Sequence, residues 1–382
     1  MGAAVQPDVI VVGGGVMGCA SALRLQQAGL RTLVLERSVP GAEASSAAAG
    51  MLAATVEADH PALRPHAPTA LGLGRRSRAL HVDLAEELLA EHGVDVGRRD
   101  CGALRVAFDD DDDAALDACQ QTLATHAPDE LAERLTGAAA RSLEPALSSD
   151  VRSALHVPGE GQLEPPVFLR ALALAADRAG ATFRSGALVS EVVVEGGRCR
   201  GVRLGGERLD AAHVVVAAGS WTSLVPGLGL RAAQVHPVRG QVLLTESRPP
   251  LFRHLVFGAH GYVCTRPDGR VLCGSTEERV GFRREVTLGG LRSIVDLATR
   301  LAPRLESAPL RGQWSRYRPG TADGLPLVGR AGPEGLWLAS GHFRNGILLS
   351  AVTAELLTGL LTGDVPADLA PLAVPLDPRR FA

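Results

Sequence analysis

A glycine-rich turn near the start of the chain limits the folds open to it more than any other segment. Val9–Val12 is a short β-branched run typical of a buried parallel strand, and residues 13–18 follow it with the pattern GxGxxG. The next segment carries good helix formers, and a second strand, residues 32–35, ends at Glu36. Residues 9–36 therefore predict a strand–helix–strand unit at the start of a parallel α/β sheet.

The motif glycines and the acid after the second strand point to a dinucleotide. Gly13 lets the chain turn tightly, Gly15 lets the backbone approach a pyrophosphate, and Gly18 lets helix and strand pack closely. Glu36 stands where a carboxylate can accept hydrogen bonds from ribose hydroxyls. Because an acid at this position disfavours a 2′-phosphate, the motif indicates FAD or NAD and not NADP.

The far end of the chain repeats the pattern of strand, small-residue turn and helix. Leu336–Ala339 is an apolar strand that enters the turn 341–346, and a helix is predicted over Ile347–Leu361. Carboxyl ends of parallel strands share one sheet edge, so both glycine turns are expected there, where open α/β sheets bind ligands. Residues 235–275 contain short strands with tight turns, which predict an antiparallel sheet over that edge.

These patterns predict an α/β protein with two discontinuous domains. The first is a Rossmann-like FAD-binding domain of the glutathione-reductase type, and the second is a substrate-binding domain of antiparallel β-sheet plus helices. We assign residues 1–88, 155–225 and 320–382 to the first domain, and residues 89–154 and 226–319 to the second.

Several small-residue turns, at 41–50, 217–219 and 341–346, favour FAD over NAD. A long ligand such as FAD, when buried along its whole length, needs turns with small side chains at several places. A nicotinamide dehydrogenase more often has one small-residue turn and a titratable His or Lys. All 39 lysine-plus-arginine positions are arginine. This composition excludes lysine Schiff-base chemistry and a Walker-type phosphate loop.

Charge and composition argue for a small-molecule partner. A net charge of −3 and 3% aromatic residues disfavour nucleic acid or an anionic membrane surface as a partner. Apolar runs stop well before the ~20 residues of a membrane span, and no signal peptide is evident, so a cytoplasmic protein is expected. The six cysteines show no CxxC spacing and are expected to be reduced. No metal site is predicted, and the acidic run 109–113 is expected to favour a helix N-terminus instead.

Four further stretches are distinctive: residues 12–36, SSAAAGM at 45–51, YRPGTAD at 317–323 with Pro326, and GHFRNGILL at 341–349. Together they resemble the D-amino-acid-oxidase-like flavoproteins, and among these most of all the glycine oxidases of the thiamine pathway. The resemblance covers nearly the whole chain. It implies an FAD-dependent oxidase that takes hydride from the Cα–H of glycine, another small amino acid or a secondary amine to flavin N5. The implied products are a 2-oxo acid (glyoxylate from glycine), ammonia and H₂O₂.

The resemblance also implies the substrate-binding side chains. Arg318 matches the family's anchor for the substrate carboxylate, and a guanidinium fork suits such a bidentate contact. Tyr262 matches the tyrosine that hydrogen-bonds the same carboxylate, and Arg344 matches the arginine near the flavin and substrate. Met51 and His260 are expected to line the pocket. The plainer alternatives are a surface ion pair for Arg318, core packing for Tyr262 and a buried, satisfied histidine for His260.

The residues expected to contact FAD lie in the small-residue turns and the segments beside them. They are Gly13, Gly15, Val16, Met17, Gly18, Glu36, Arg37, Ala44, Ser45, Ser46, Ala49, Gly50, Met51, Val189, Ala218, Gly219, Trp221, His342, Phe343, Arg344, Asn345, Gly346, Ile347 and Leu348. The flavin is expected to be non-covalent, since no cysteine matches an attachment position. The positive end of the helix starting near Ile347 would stabilise negative charge on the reduced flavin. A homotetramer is implied by the resemblance alone.

One position departs from the family pattern, and two other functions stay open. Glu277 follows Thr276 where apolar residues are common in the family. If it faces the pocket, a small apolar substrate side chain is disfavoured; the simpler alternative is that it points to solvent. The open functions are a D-amino acid or sarcosine oxidase or dehydrogenase that passes electrons to another acceptor, and a non-enzymatic dinucleotide-binding module. The absence of lysine weakens the sarcosine oxidase alternative, because those enzymes place a lysine near the flavin.

Overall fold

The computed structural model describes residues 6–58, 60–230 and 234–381, without the side chains of residues 57 and 58. The strands are β1 (Val9–Val12), β2 (Thr32–Leu35), β3 (Met51–Leu52), β4 (Arg99–Asp100), β5 (Ala103–Ala107), β6 (Glu133–Thr136), β7 (Ser153–Val157), β8 (Gly161–Gln162), β9 (Thr182–Arg184), β10 (Glu191–Glu195), β11 (Arg198–Leu204), β12 (Glu207–Asp210), β13 (His213–Val216), β14 (Val235–Glu246), β15 (Leu255–Gly258), β16 (Gly261–Thr265), β17 (Arg270–Gly274), β18 (Leu310–Thr321), β19 (Leu327–Arg330) and β20 (Leu336–Ser340).

The α-helices are α1 (Val16–Gln27), α2 (Ala44–Ala47), α3 (Ala54–Ala58), α4 (Ala67–His92), α5 (Asp110–His126), α6 (Gly137–Leu143), α7 (Pro165–Arg178), α8 (Leu288–Leu301), α9 (Ser350–Thr362) and α10 (Ala370–Ala373). Short 3₁₀ helices lie at Arg64–His66, Gly219–Leu224, Pro303–Ser307, Phe343–Asn345, Val374–Leu376 and Pro378–Phe381.

A six-stranded sheet in the order β19-β20-β13-β1-β2-β9 forms the first layer. Its pairs are parallel except for the antiparallel edge strand β19. Val9 and Val11 pack into the core shared with α1, α7 and α9, whereas Ile10 and Val12 pack into the core shared with the β10-β11-β12 sheet. Because both faces are covered, all four residues of β1 are apolar and buried.

An eight-stranded sheet in the order β18-β14-β17-β16-β15-β5-β7-β6 forms the second layer. Its pairs are antiparallel except for β15 with β5, and α8 packs against one face. The predicted fold class is therefore confirmed. Ser153–Val157 belongs to this second sheet. The expected domain boundary between residues 154 and 155 would therefore lie at the end of β7 instead.

The starts of α5 and of the last long helix are set by local hydrogen bonds. α5 starts within the acidic run, because the Asp109 side chain accepts a hydrogen bond from the Asp112 N–H at 3.0 Å and caps the helix. The last long helix starts at Ser350 and not near Ile347, so that expectation was wrong. The chain first forms the 3₁₀ turn Phe343–Asn345 and a single turn in which Leu349 N–H bonds to Asn345 O, and α9 follows with the bond from Thr353 N–H to Leu349 O.

The described ranges contain neither a helix with the length and apolar run needed to cross a bilayer nor a group of three metal-binding side chains.

Substitution of Gly18 tests the close packing of α1 against the turn. A Cβ at Gly18 would lie 1.9 Å from the Gly13 carbonyl oxygen, so Gly18→Val is expected to displace the turn, lower the Tm and abolish FAD retention. Gly206→Ala is the control, because a Cβ there meets nothing within 4 Å. A Gly18→Val protein with the parent Tm and full flavin content would contradict the packing argument.

Candidate active site

A cavity of about 330 Å³ lies between the two sheets. One wall is the carboxyl edge of the first sheet, where Val12, Leu35 and Ser340 end β1, β2 and β20 and Ala217 follows the last residue of β13. The opposite wall is made by β14, β16 and β18 of the second sheet. Both glycine turns, after β1 and after β20, line this cavity. This agrees with the prediction from the strand–turn–helix pattern at the two ends of the chain.

The turn after β1 brings bare backbone to the cavity. Gly13 has a left-handed φ of +111°, and a Cβ there would lie 2.5 Å from the Ala217 carbonyl oxygen. α1 starts directly after Gly15 with no side-chain cap, and its Val16 N–H donates to Ser45 Oγ at 3.0 Å. Ser45 therefore fixes the helix N-terminus to α2, and the first turn of α1 faces the space where a pyrophosphate would lie.

Glu36 lines the cavity at the end of β2. Its carboxylate accepts hydrogen bonds from the Gly14 N–H and the Ser38 N–H, both at 2.8 Å. Two backbone donors fix the carboxylate, so its orientation is set before any ligand binds. Nearby, the Arg37 guanidinium lies 3.9 Å from the centre of the Trp221 ring and donates to Glu43 at 3.0 Å.

The residues present fit a bound FAD. His342 lines the cavity from the turn after β20 and is 3% exposed. Its Nε2 bonds to Thr353 Oγ1 at 2.9 Å, while its buried Nδ1 has no hydrogen-bond partner among the described residues. Burial lowers the pKa of His342 to about 3, so the ring is neutral. A polar ligand atom in the cavity would satisfy this buried nitrogen.

Arg318 lies at the other end of the cavity, on β18. Its Nη2 donates to Ser275 Oγ at 2.5 Å and its Nη1 donates to the Thr276 carbonyl at 3.1 Å. The guanidinium lies over Gly240 of β14, where a Cβ would come within 2.3 Å of both terminal nitrogens. The missing side chain at Gly240 is what leaves room for Arg318 in the cavity wall.

Tyr262 of β16 completes this end of the site. It is 5% exposed and lines the cavity, with its hydroxyl next to the Gly274 backbone and Ser275. Burial raises the pKa of the Tyr262 hydroxyl against the opposing charges of Arg318 and Arg344. The hydroxyl therefore stays protonated and can donate a hydrogen bond to an anion held by Arg318.

Arg344 lines the cavity from the 3₁₀ turn after β20. The preceding Phe343 has a left-handed φ of +47°, an unusual conformation for a residue with a side chain. Glu277, which is not among the cavity-lining residues, lies close to Arg344, with 3.8 Å between Oε2 and Arg344 Nη1 and 3.2 Å between Oε2 and His60 Nε2. Glu277 is exposed and does not line the cavity, in agreement with the simpler alternative, although its carboxylate also contacts His60 and approaches Arg344.

The structure brings most of the predicted site residues together around the cavity. Those that line it are Gly13, Gly15, Val16, Met17, Glu36, Arg37, Ala44, Ser45, Ala49, Gly50, Met51, Val189, Ala218, Gly219, Trp221, Tyr262, Arg318, His342, Phe343, Arg344, Asn345, Gly346 and Ile347.

Four predicted residues do not line the cavity. His260 is exposed in the turn between β15 and β16, because β16 begins only at Gly261. Gly18 lies inside α1 against the Gly13 carbonyl, and Ser46 lies beside Gly41. Leu348 is 2% exposed and packs in the helical core.

Sequence reasoning missed several wall residues, among them Gly240, Ser275, Trp314 and Arg316. Arg316 could have been found, because it is two residues from Arg318 on one strand and so shares its face. Gly240 could not, since its role depends on the pairing of β14 with β18.

Comparison with known proteins places the chain in a family. The family model described as DAO, FAD dependent oxidoreductase, matches residues 8–360. The chain therefore belongs to this family of FAD-dependent oxidoreductases, and the predictions of an enzyme and of FAD as cofactor are confirmed.

Its relatives include glycine oxidases. The glycine oxidase of Geobacillus kaustophilus (strain HTA426) is 35% identical over 372 residues, covering 96% of each chain. The glycine oxidase of Pseudomonas putida is 32% identical over 372 residues, covering 96% of this chain and 98% of the relative. The crystal structure of glycine oxidase from Geobacillus kaustophilus has a TM-score of 0.88 and 34% identity, covering 96% of this chain and 98% of that chain. The resemblance to glycine oxidases is thus confirmed, and these relatives give the non-enzymatic alternative no support.

Substitution of Gly240 tests the space that holds the Arg318 guanidinium without removing its charge. Because an alanine Cβ would overlap the guanidinium, Gly240→Ala is expected to keep FAD but weaken the binding of acetate to the holoenzyme about tenfold, measured by perturbation of the flavin spectrum. Gly312→Ala on β18 is the matched control, because its Cβ would meet only ordinary contacts at 3.9 Å. Equal acetate affinity in the Gly240→Ala and Gly312→Ala proteins would contradict this role.

Proposed function

We propose that the chain oxidises glycine or another small amino acid or secondary amine, with O₂ as electron acceptor. The overall reaction converts a primary amino acid, O₂ and water to a 2-oxo acid, ammonia and H₂O₂; with a secondary amine such as sarcosine, the nitrogen leaves as a primary amine instead of ammonia. The observation that carries the proposal is the Arg318 guanidinium in the cavity wall, beside the buried hydroxyl of Tyr262. A fixed cationic fork next to a neutral donor suits a single carboxylate. The glycine oxidase relatives support the same substrate class.

In this proposal Arg318 and Tyr262 bind the substrate carboxylate together. Ser275 Oγ and the Thr276 carbonyl hold the guanidinium in place, so little side-chain entropy is lost when substrate binds. Arg344, on the same cavity, adds positive potential at this end. With the carboxylate fixed, the substrate Cα–H is oriented toward the cofactor, and the buried walls exclude water from it.

The remaining groups prepare the site rather than react. FAD, when bound non-covalently here, supplies a two-electron acceptor for the hydride of the substrate Cα–H. The neutral His342 offers its unsatisfied Nδ1 to the cofactor, and Glu36 offers its fixed carboxylate to the ribose of the adenosine half. We assign no general base, because the substrate needs only to bind with a neutral amine. The proton of its ammonium form is lost to solvent.

The proposal is tested by anaerobic mixing of the holoenzyme with glycine, sarcosine and D-amino acids. Bleaching of the flavin absorbance by one of them, followed by stoichiometric H₂O₂ when air is admitted, is the expected result. Bleaching with turnover only through an artificial dye would instead indicate a dehydrogenase. Absence of bleaching by every amino acid in the series would refute the proposed substrate class.

Replacement of Arg318 tests the carboxylate anchor. Arg318→Ala is expected to retain FAD and to lose about a hundredfold in kcat/KM, because a charge-assisted fork is removed. Arg318→Lys should recover only part of this loss, since an ammonium lacks the planar fork. Simple amines without a carboxylate serve as the control and should respond little to either change. An unchanged kcat/KM in Arg318→Ala would assign the anchor to another residue.

Replacement of Glu36 tests the adenosine half of the site. Glu36→Arg removes the acceptor that Gly14 and Ser38 hold in place, and it brings a cation to the α1 N-terminus. The variant is expected to stay folded and to lose flavin on gel filtration, measured as the ratio of flavin to protein absorbance. Full flavin occupancy at parent levels would be incompatible with the assignment.

From the family resemblance alone we further propose a cytoplasmic homotetramer. Light scattering of the purified holoenzyme measures the assembly directly, and a monomeric mass would remove this part of the proposal.

A further inference from the structure

Glu277 joins three segments beside the substrate end of the cavity. Its carboxylate lies after β17, and its Oε2 faces His60 Nε2 at 3.2 Å and Arg344 Nη1 at 3.8 Å. The His60 ring in turn packs edge-on against Phe343, with ring centres 5.5 Å apart. An acidic residue thus bridges the second sheet to the turn that carries Arg344.

Glu277 carries a negative charge at neutral pH. The hydrogen bond with His60 and the positive charges of Arg344 and Arg318 hold the pKa of the Glu277 carboxyl below its ordinary value, although burial opposes them. Its side chain is one-third exposed.

Glu277 affects the cavity through Arg344. Arg344, Arg318 and Tyr262 line the cavity, whereas Glu277 and His60 are not among its lining residues. A carboxylate this close to a guanidinium lowers the positive potential that the guanidinium projects to its other side. The substrate end of the site is consequently less attractive to negative charge than its arginines alone would make it.

We propose that Glu277 is a specificity-determining positioning residue that makes the site favour substrates with one carboxylate over substrates with two. This inference rests on the proposed function, in which Arg318 binds the carboxylate of an amino acid. A second carboxylate on the substrate would approach Arg344 and meet the negative charge of Glu277 behind it. A substrate with an uncharged side chain, or with none, experiences no such repulsion.

The test compares ligand pairs that differ by one carboxylate, bound to the FAD-loaded enzyme. Propionate and malonate form one pair, and butyrate and succinate form the other; in each pair a methyl group is replaced by a carboxylate. Dissociation constants come from the change in the visible flavin spectrum. Glu277→Gln keeps the size of the side chain and removes its charge, so it should increase the affinity for dicarboxylate relative to monocarboxylate about tenfold. Raised salt should reduce this gain, because the effect is electrostatic.

Two further variants separate charge from packing. His60→Gln keeps a hydrogen-bond donor beside Glu277 and leaves its charge in place, so the relative affinity should stay within about twofold of the parent. In the double variant Glu277→Gln with Arg344→Gln, the added preference for dicarboxylates should disappear, because the unmasked cation is absent. Glu277→Met tests the same loss of charge with an apolar side chain of similar length and should behave as Glu277→Gln does.

The outcomes decide the proposal. A relative affinity unchanged in both Glu277 variants overturns it. An equal shift in relative affinity in His60→Gln, or a shift that persists in the double variant, also overturns the proposal. The cause would then be altered packing around the cavity and not the charge of Glu277. These binding measurements do not need turnover, so the inference can fail while the parent enzyme oxidises glycine. Conversely, absence of amino-acid oxidation with selective monocarboxylate binding would refute the proposed function and leave the selection by charge in place.

Discussion

The absence of a side chain at Gly18 allows α1 to lie directly against the turn that ends β1. A Cβ at this position would lie 1.9 Å from the Gly13 carbonyl oxygen, so no other residue permits the same approach. The contact sets the start of α1 at the carboxyl edge of the six-stranded sheet. The bare backbone of Gly13 and Gly15, the first turn of α1 and the carboxylate of Glu36 then face one space. The second sheet covers that space and turns a sheet edge into a cavity.

In the second sheet, the pairing of β14 with β18 along nearly their whole lengths fixes the position of Arg318. This pairing places Gly240 beneath the Arg318 guanidinium, and the turn after β17 supplies Ser275 and Thr276 as acceptors. Arg318 is therefore positioned by backbone and by short side chains, which move little. A flexible arginine would have to lose its rotamer freedom on binding, and this arrangement has already fixed it during folding.

The sequence predicted what depends on local pattern. β1 and β2 have the expected bounds, because an apolar run is visible within one segment. The cavity lining around the glycine turns was predicted for the same reason and through the family resemblance. The expectation for His260 came from the family resemblance, and the structure instead places this residue exposed in the turn before β16. The contacts of Gly240 with Arg318 and of Glu277 with Arg344 join distant segments, and no local pattern reports such contacts.

Burial also decides which groups at the substrate end carry charge. It lowers the pKa of His342 to about 3 and raises the pKa of Tyr262 above its ordinary value, so both are neutral near pH 7. The positive potential in the cavity wall therefore comes from arginines, whose guanidinium groups do not lose their protons in proteins. The carboxylate anchor proposed for Arg318 and the protonated Tyr262 would keep its strength across the neutral range. The proton that a substrate amine must lose is then the natural origin of pH dependence at this end of the site.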